Sequence, residues 1–352
     1  MLTYVKSWYK RYFSDPEATM LAIFLVLAIG FIYISSDLLA PVFAALIIAY
    51  LLQSGVNFLN RLGLAHIYSS FIVFTAFLGL FLVCLLILLP MIWNQFLSLF
   101  EELPKMVGKL EALLITLQAR FPEYISKDNI ELIVELSMDG IKTHGKELLA
   151  VSLASIPNII KYLVYIVLIP LIVFFMLKDS VVLLKFSKRF LPKKRKTLAK
   201  IWCEVDMQIG NYIRGKFVEF LIMTIATAIL LLYFDLPYVV LLSLLVGASV
   251  LVPYLGAVVC TIPTVSVGAY YLGMDTEFYY FLTYYTITQL MDANILVPIL
   301  FSNAVSIHPL AIIVSVLFFG GMFGIWGVFF AIPLAVFVKA VISAWPISSN
   351  KE

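Results

Sequence analysis

Apolar positions in this chain come in long blocks with polar residues at their ends. The first three blocks run from about Thr19 to Ile34, Leu38 to Leu52 and Tyr68 to Ile92. Two more run from about Ile156 to Leu177 and from Phe217 to Phe234, and beyond them the chain stays apolar as far as Trp345. Several blocks approach the ~20 residues that cross a bilayer core, and charge is rare inside them. Between the third and fourth blocks the pattern changes. Phe96, Leu99, Phe100, Leu103, Met106 and Leu110 recur at helical spacing in an otherwise polar stretch, which predicts an amphipathic helix. The pattern therefore predicts an all-α integral membrane protein of about eight helical membrane segments, with a small helical extracytoplasmic domain.

The C-terminal third repeats a theme. One segment runs from Leu236-Pro237 to about Tyr271, the other from His308-Pro309 to about Trp345. Each opens on a proline, breaks near its middle and closes through an Ile-Pro pair. The breaks are Pro253 to Gly256, before Pro263, and Gly320, Gly321, Gly324 and Gly327, before Pro333. Each segment follows an apolar helix, Phe217–Phe234 or Phe278–Leu300. At roughly 35 residues each, the segments are shorter than two full spans and a turn. Re-entrant hairpins fit that length, with the breaks as gates. Helix plus hairpin, repeated in opposite orientation, is the inverted repeat common in secondary transporters. Two pairs of short tilted spans packed through their glycines are the plainer alternative.

Charge supplies the topology. The stretch from Lys178 to Lys216 carries eleven lysines and arginines against Asp179, Glu204 and Asp206, which predicts a cytoplasmic loop. Counting spans from it puts the acidic Trp93–Ser155 segment outside and both termini inside, in agreement with Lys6, Lys10, Arg11 and Arg61. The predicted organisation is membrane helices over 1–92, the extracytoplasmic domain over 93–155 and a fourth span over 156–177. The basic loop over 178–216, a transport domain over 217–345 in two halves (217–273 and 278–345) and a tail over 346–352 follow. Composition agrees: 63% of the residues are hydrophobic and 13% charged, and the net charge is +3. Positive-inside topology accounts for the basic run Lys193–Lys196 without a nucleic-acid partner. Cys84, Cys203 and Cys260 form no CxxC pair, and His66, His144 and His308 are far apart, so no disulfide, metal site or cofactor is expected.

The candidate chemistry lies between the two hairpins. Gln289 and Asp292 are three residues apart and share a helix face, while Asn294 is rotated away. Pro298 follows and can kink the helix, freeing carbonyls. A carboxylate at membrane depth is costly, which marks Asp292 as a candidate for a cation, a proton or a polar solute. A structural hydrogen bond to a hairpin tip is the competing role. Tyr254, at the first break, can stack on or hydrogen-bond a solute, or satisfy its hydroxyl locally. Arg214 reads as an interfacial anchor, and His308 before Pro309 as a helix-start residue. There is no GxxxxGK[ST] sequence for ATP, nor an HExxH, GxSxG or paired-Asp motif for an intramembrane enzyme.

Ordered motifs extend this reading. Phe174-Phe175-Met176-Leu177-Lys178-Asp179 closes the fourth block and Tyr212-Ile213-Arg214-Gly215-Lys216 opens the fifth. Val252-Pro253-Tyr254-Leu255-Gly256, Asp292-Ala293-Asn294-Ile295-Leu296-Val297-Pro298 and His308-Pro309-Leu310 follow, and the Gly320–Pro333 segment closes the set. Together these resemble the autoinducer-2 exporter family of permease-type transporters over most of the chain. The resemblance implies a multi-pass bacterial inner-membrane protein that exports a small polar solute, with ion or proton coupling open. A passive pore in an oligomer and a cation/proton antiporter are the alternatives. The expected partners are the lipid bilayer, a small polar solute or ion, and further copies of the chain in a homo-oligomer. In one respect the chain departs from the family, which usually carries glutamate where Asp292 stands.

Overall fold

The computed structural model describes residues 16–120, 156–190, 196–253, 255–301 and 308–345, with parts of 128–143. Tyr254, residues 121–127 and 144–155 of the expected extracytoplasmic domain, the basic run at 191–195 and the C-terminal tail lie outside the described residues. Every regular element among the described residues is a helix. We number them α1 (Pro16–Arg61), α2 (His66–Val83), α3 (Leu89–Arg120), α4 (Ile156–Lys178), α5 (Ser180–Phe190) and α6 (Lys196–Tyr233). Then come α7 (Val239–Ser249), α8 (Leu255–Leu272), α9 (Thr276–Met291), α10 (Val297–Phe301), α11 (Pro309–Phe329) and α12 (Ala331–Ala344). Among the described residues, five helical stretches are long and apolar enough to cross a bilayer, or six if α4 and α5, bent by 82°, count as one. Val239–Ser249 and Ala331–Ser343 are shorter apolar helices. Large apolar side chains point outward along these helices, among them Phe71, Leu86, Ile229, Ile262 and Leu317. That inside-out surface suits lipid and would be a liability in water.

Two expectations change. The first two blocks do not turn at Ser35–Asp37: α1 is one helix of 46 residues. Three polar residues without glycine or proline do not stop a helix, and Pro41 lies inside it. Such a helix rises about 69 Å, more than one crossing needs. The topological count that placed the N-terminus inside relied on that turn. Likewise, the helix does not end near Trp93, where the amphipathic pattern begins. α2 passes through a wide turn at Cys84–Leu88 straight into α3.

Both wide turns have the same cause. Cys84–Leu88 is followed by Pro90, and Asp292–Leu296 by Pro298. Proline lacks an N–H and crowds the carbonyl four residues back. Here the strand of helical bonds skips one residue, with the Leu89 N–H bonding Cys84 O and the Val297 N–H bonding Asp292 O. Such one-turn widenings are frequent at functional sites.

α7 and α8 form a hairpin. Ser249 meets Gly256 at its tip, Val246 packs with Cys260 farther out, and Leu242 with Val267 beyond that. A Cβ on Gly256 would lie 1.9 Å from the Ser249 carbonyl oxygen, so only glycine allows this approach. α11 and α12 fold back in the same manner. Gly324 breaks α11 with φ 60° and ψ −139°, a backbone region that favours glycine. A Cβ on Gly327 would lie 1.8 Å from the Phe319 carbonyl oxygen. One arm of each hairpin is short: α7, with 11 residues, rises about 16 Å, roughly half a bilayer core, whereas α8, with 18 residues, is long enough to cross.

α3 docks on the outer end of the first hairpin, a placement not foreseen for the amphipathic segment. Leu99, Leu103 and Met106 pack against Leu236, Leu242, Val267 and Phe278. Gln95 Oε1 accepts from the Leu241 N–H at 2.9 Å, satisfying a donor in the first turn of α7. Lys109 donates to the Tyr270 carbonyl near the end of α8, and Tyr271 donates to Glu102.

Candidate functional site

α6 runs past the tip of the first hairpin and along α9 and α10, and all three meet around Lys216. Sequence reasoning left Lys216 in the basic cytoplasmic loop. The helix does not end there, and the side chain is only 8% exposed. Its Nζ donates to Glu219 Oε1 at 3.0 Å and lies 2.9 Å from Oε2. Glu219 is 2% exposed in its side chain. It was missed altogether, although a Lys-x-x-Glu pair opening an apolar helix was the available signal.

Lys216 has a second task. Its Nζ also donates to the Val250 carbonyl at 2.8 Å. Val250 caps the C-terminus of α7, where carbonyls have no helical partner. A cation at that position satisfies one of them and complements the helix dipole. The Phe301 ring of α10 lies 5.2 Å from Nζ, within cation–π range. Gly215 makes room for that ring, since a Cβ there would stand 2.7 Å from it. Tyr212, one turn earlier, contacts Phe301 at 5.8 Å between ring centres and donates to the Phe329 carbonyl of α11 at 3.3 Å.

Asp292, half-buried, occupies the first position of the widened turn after α9, and that turn packs on α6 through Leu296 and Met223. One of its oxygens, Oδ1, is buried without a hydrogen-bond partner. The same holds for Nε2 of Gln289, one turn earlier on the same face. A buried acceptor and a buried donor, each unsatisfied, carry a desolvation penalty that a bound polar group or ion relieves. Asn294 is exposed and donates to the Leu290 carbonyl at 2.8 Å, so it faces away as its position suggests.

The remaining candidates do not join this cluster. Arg214 is exposed and donates to Asn211 Oδ1 at 2.8 Å. His308 caps α11 by accepting the Leu310 N–H at 3.2 Å, with Pro309 at the first helical position. Pro253 lies in the first turn, and Pro263 and Pro333 lie inside α8 and α12. Of the second-hairpin glycines, Gly320 packs against Val328 and Gly321 meets nothing within 4 Å. Tyr254 lies outside the described residues.

Two helical hairpins, a broken helix and a buried ion pair inside an apolar helical bundle define a multi-pass membrane protein of the permease class. Residues 21–347 match the family described as AI-2E family transporter. The chain belongs to that family. It is 44% identical to "Putative permease PerM" of Escherichia coli (strain K12), over 98% of each chain. It is 26% identical to "Putative transport protein YrrI" of Bacillus subtilis (strain 168), over 86% of this chain and 84% of that one.

Proposed function

We propose that this protein is a secondary transporter that exports a small polar solute across the bacterial inner membrane, with Asp292 in the pathway as the coupling carboxylate. The observation that carries this reading is the unpartnered Asp292 Oδ1 beside the unpartnered Gln289 Nε2, at a broken helix in an apolar bundle. An ionisable group in that setting is expensive unless it serves a polar passage. The two hairpins enter as re-entrant gates from opposite faces, the first from outside and the second from the cytoplasm. The short arm of α7 supports this, as do the glycine contacts at both tips. The Lys178–Lys216 stretch and the C-terminus face the cytoplasm.

The test is proton flux in proteoliposomes holding a pH-sensitive dye, driven by imposed proton or sodium gradients. Wild type is compared with Asp292→Asn. Gradient-dependent flux that disappears in Asp292→Asn is the expected result. Equal flux in both proteins removes Asp292 from the coupling step. Conductive flux without coupling in both would favour a passive pore built from several copies.

A further inference from the structure

Lys216 lies between both halves of the machinery. It bonds the first hairpin tip, and its helix packs, at Met223, against Leu296 of the widened turn that carries Asp292. We propose that Lys216 is the positioning residue that transmits the charge state of Asp292 to the tip of the α7–α8 hairpin. The proposal rests on the reading of Asp292 as the pathway carboxylate and adds a mechanism for it.

The argument begins with the donors. An ammonium has three, and one acceptor from each of two groups is in place: Glu219 at 3.0 Å and the Val250 carbonyl at 2.8 Å. Asp292 Oδ1 takes no bond from it. This is the arrangement suited to a neutral Asp292, holding a proton or a cation. An empty, ionised Asp292 is a second anion besides Glu219, and Lys216 is the buried cation on the helix packed against its turn. The ammonium then shifts toward Asp292, because an unpaired buried charge is costlier than a lost neutral acceptor. The bond to Val250 is the weaker of its two, since Val250 O is uncharged. Losing it leaves the C-terminal end of α7 uncapped, and the tip is released. Neutralising Asp292 returns Lys216 to Val250 and holds the tip.

Among the described residues, the charged groups facing Lys216 are few. Glu219 lies on its own helix and Asp292 on the widened turn, while α7 presents a carbonyl and α10 an aromatic ring. α1 and α12, also packed on α6, contribute Ile47, Leu51 and Ile332 around neighbouring Ile213. Tyr50 joins them and donates to Asp206, farther back along α6. Asp292 and Glu219 are therefore the groups whose titration the tip would feel, and an Asp292 variant separates them.

The test reads the tip directly and needs no substrate. Spin labels are placed at Val252→Cys, on the turn, and Ile229→Cys, on α6, with Cys84, Cys203 and Cys260 replaced by serine. The full chain is studied in lipid nanodiscs, diluted with unlabelled protein, at acidic and alkaline pH. The expected result is a narrow interspin distance distribution at acidic pH that broadens and shifts at alkaline pH. Asp292→Asn is expected to stay narrow at both, Lys216→Gln to stay broad at both, and Lys216→Arg to retain a pH response. A distribution in the unsubstituted background that ignores pH overturns the proposal, as does an Asp292→Asn distribution that follows it. Those two arms decide the matter even if Lys216→Gln fails to fold. Loss of flux in Asp292→Asn without tip movement would leave the transport reading standing and this inference refuted. Tip movement without any effect on flux would do the reverse.

Discussion

Gly256→Ala isolates the closure of the first hairpin. The added Cβ would stand 1.9 Å from the Ser249 carbonyl oxygen and 2.7 Å from its carbon. Real Cβ contacts essentially never fall below 3.0 Å, so the arms must part by at least about 1.1 Å. Both clashing atoms are backbone, and no side-chain rotation relieves them. Overpacking of this kind costs about 1–3 kcal/mol. It also draws Val250 away from Lys216, whose bond at 2.8 Å has little slack. Gly321→Ala is the matched control, because its Cβ meets nothing within 4 Å. Alanine is there the better helix former by roughly 1 kcal/mol. Thermal unfolding followed by gel filtration in detergent compares the two. Gly256→Ala is expected to unfold at a lower temperature than the parent, and Gly321→Ala at the same or a higher one. A Gly256→Ala protein as stable as Gly321→Ala would refute the close approach.

Other consequences follow from the same geometry. Glu219→Gln leaves the Lys216 ammonium buried without its counter-charge, a loss of roughly 3–5 kcal/mol. Adding Lys216→Met to it should restore part of that stability in a thermal denaturation assay, the lost bond to the Val250 carbonyl holding back about 1–3 kcal/mol, and no recovery would argue against a direct pair. Gln95→Ala removes the acceptor from the Leu241 N–H, at a cost of about 1 kcal/mol by analogy with a lost helix cap. Faster hydrogen exchange confined to the first turn of α7 is the expected signature. Asn294→Ala, whose side chain faces away, should leave proteoliposome flux near that of the parent. A loss as deep as in Asp292→Asn would place Asn294 in the pathway.

The relative placement of the candidate residues could be read in part from their order. Gln289 and Asp292 share a face and Asn294 does not because helical spacing dictates it, and Pro298 announces the broken turn beside them. The hairpin breaks were legible because glycine and proline punctuate otherwise uniform apolar runs. Lys216 and Glu219 were not, since a lysine beside a basic loop looks like part of it. The packing of α6 against the α7 tip and the Phe301 ring covers that lysine. The docking of α3 on the hairpin was hidden for a related reason. An amphipathic face shows that something covers it, and the covering surface lies more than a hundred residues away in sequence. The continuity of α1 escaped because polar residues inside a helix resemble a loop when neighbours are read one at a time.

Water access to position 292 tests the pathway most directly. Asp292→Cys, in a background with Cys84, Cys203 and Cys260 replaced by serine, is exposed to a membrane-impermeant thiol reagent in right-side-out and inverted vesicles. A pathway carboxylate predicts modification from at least one side, and slower modification when a transported solute or cation is present. A cysteine at 292 untouched from both sides, while one at exposed Arg214 reacts from the cytoplasmic side, would contradict the account.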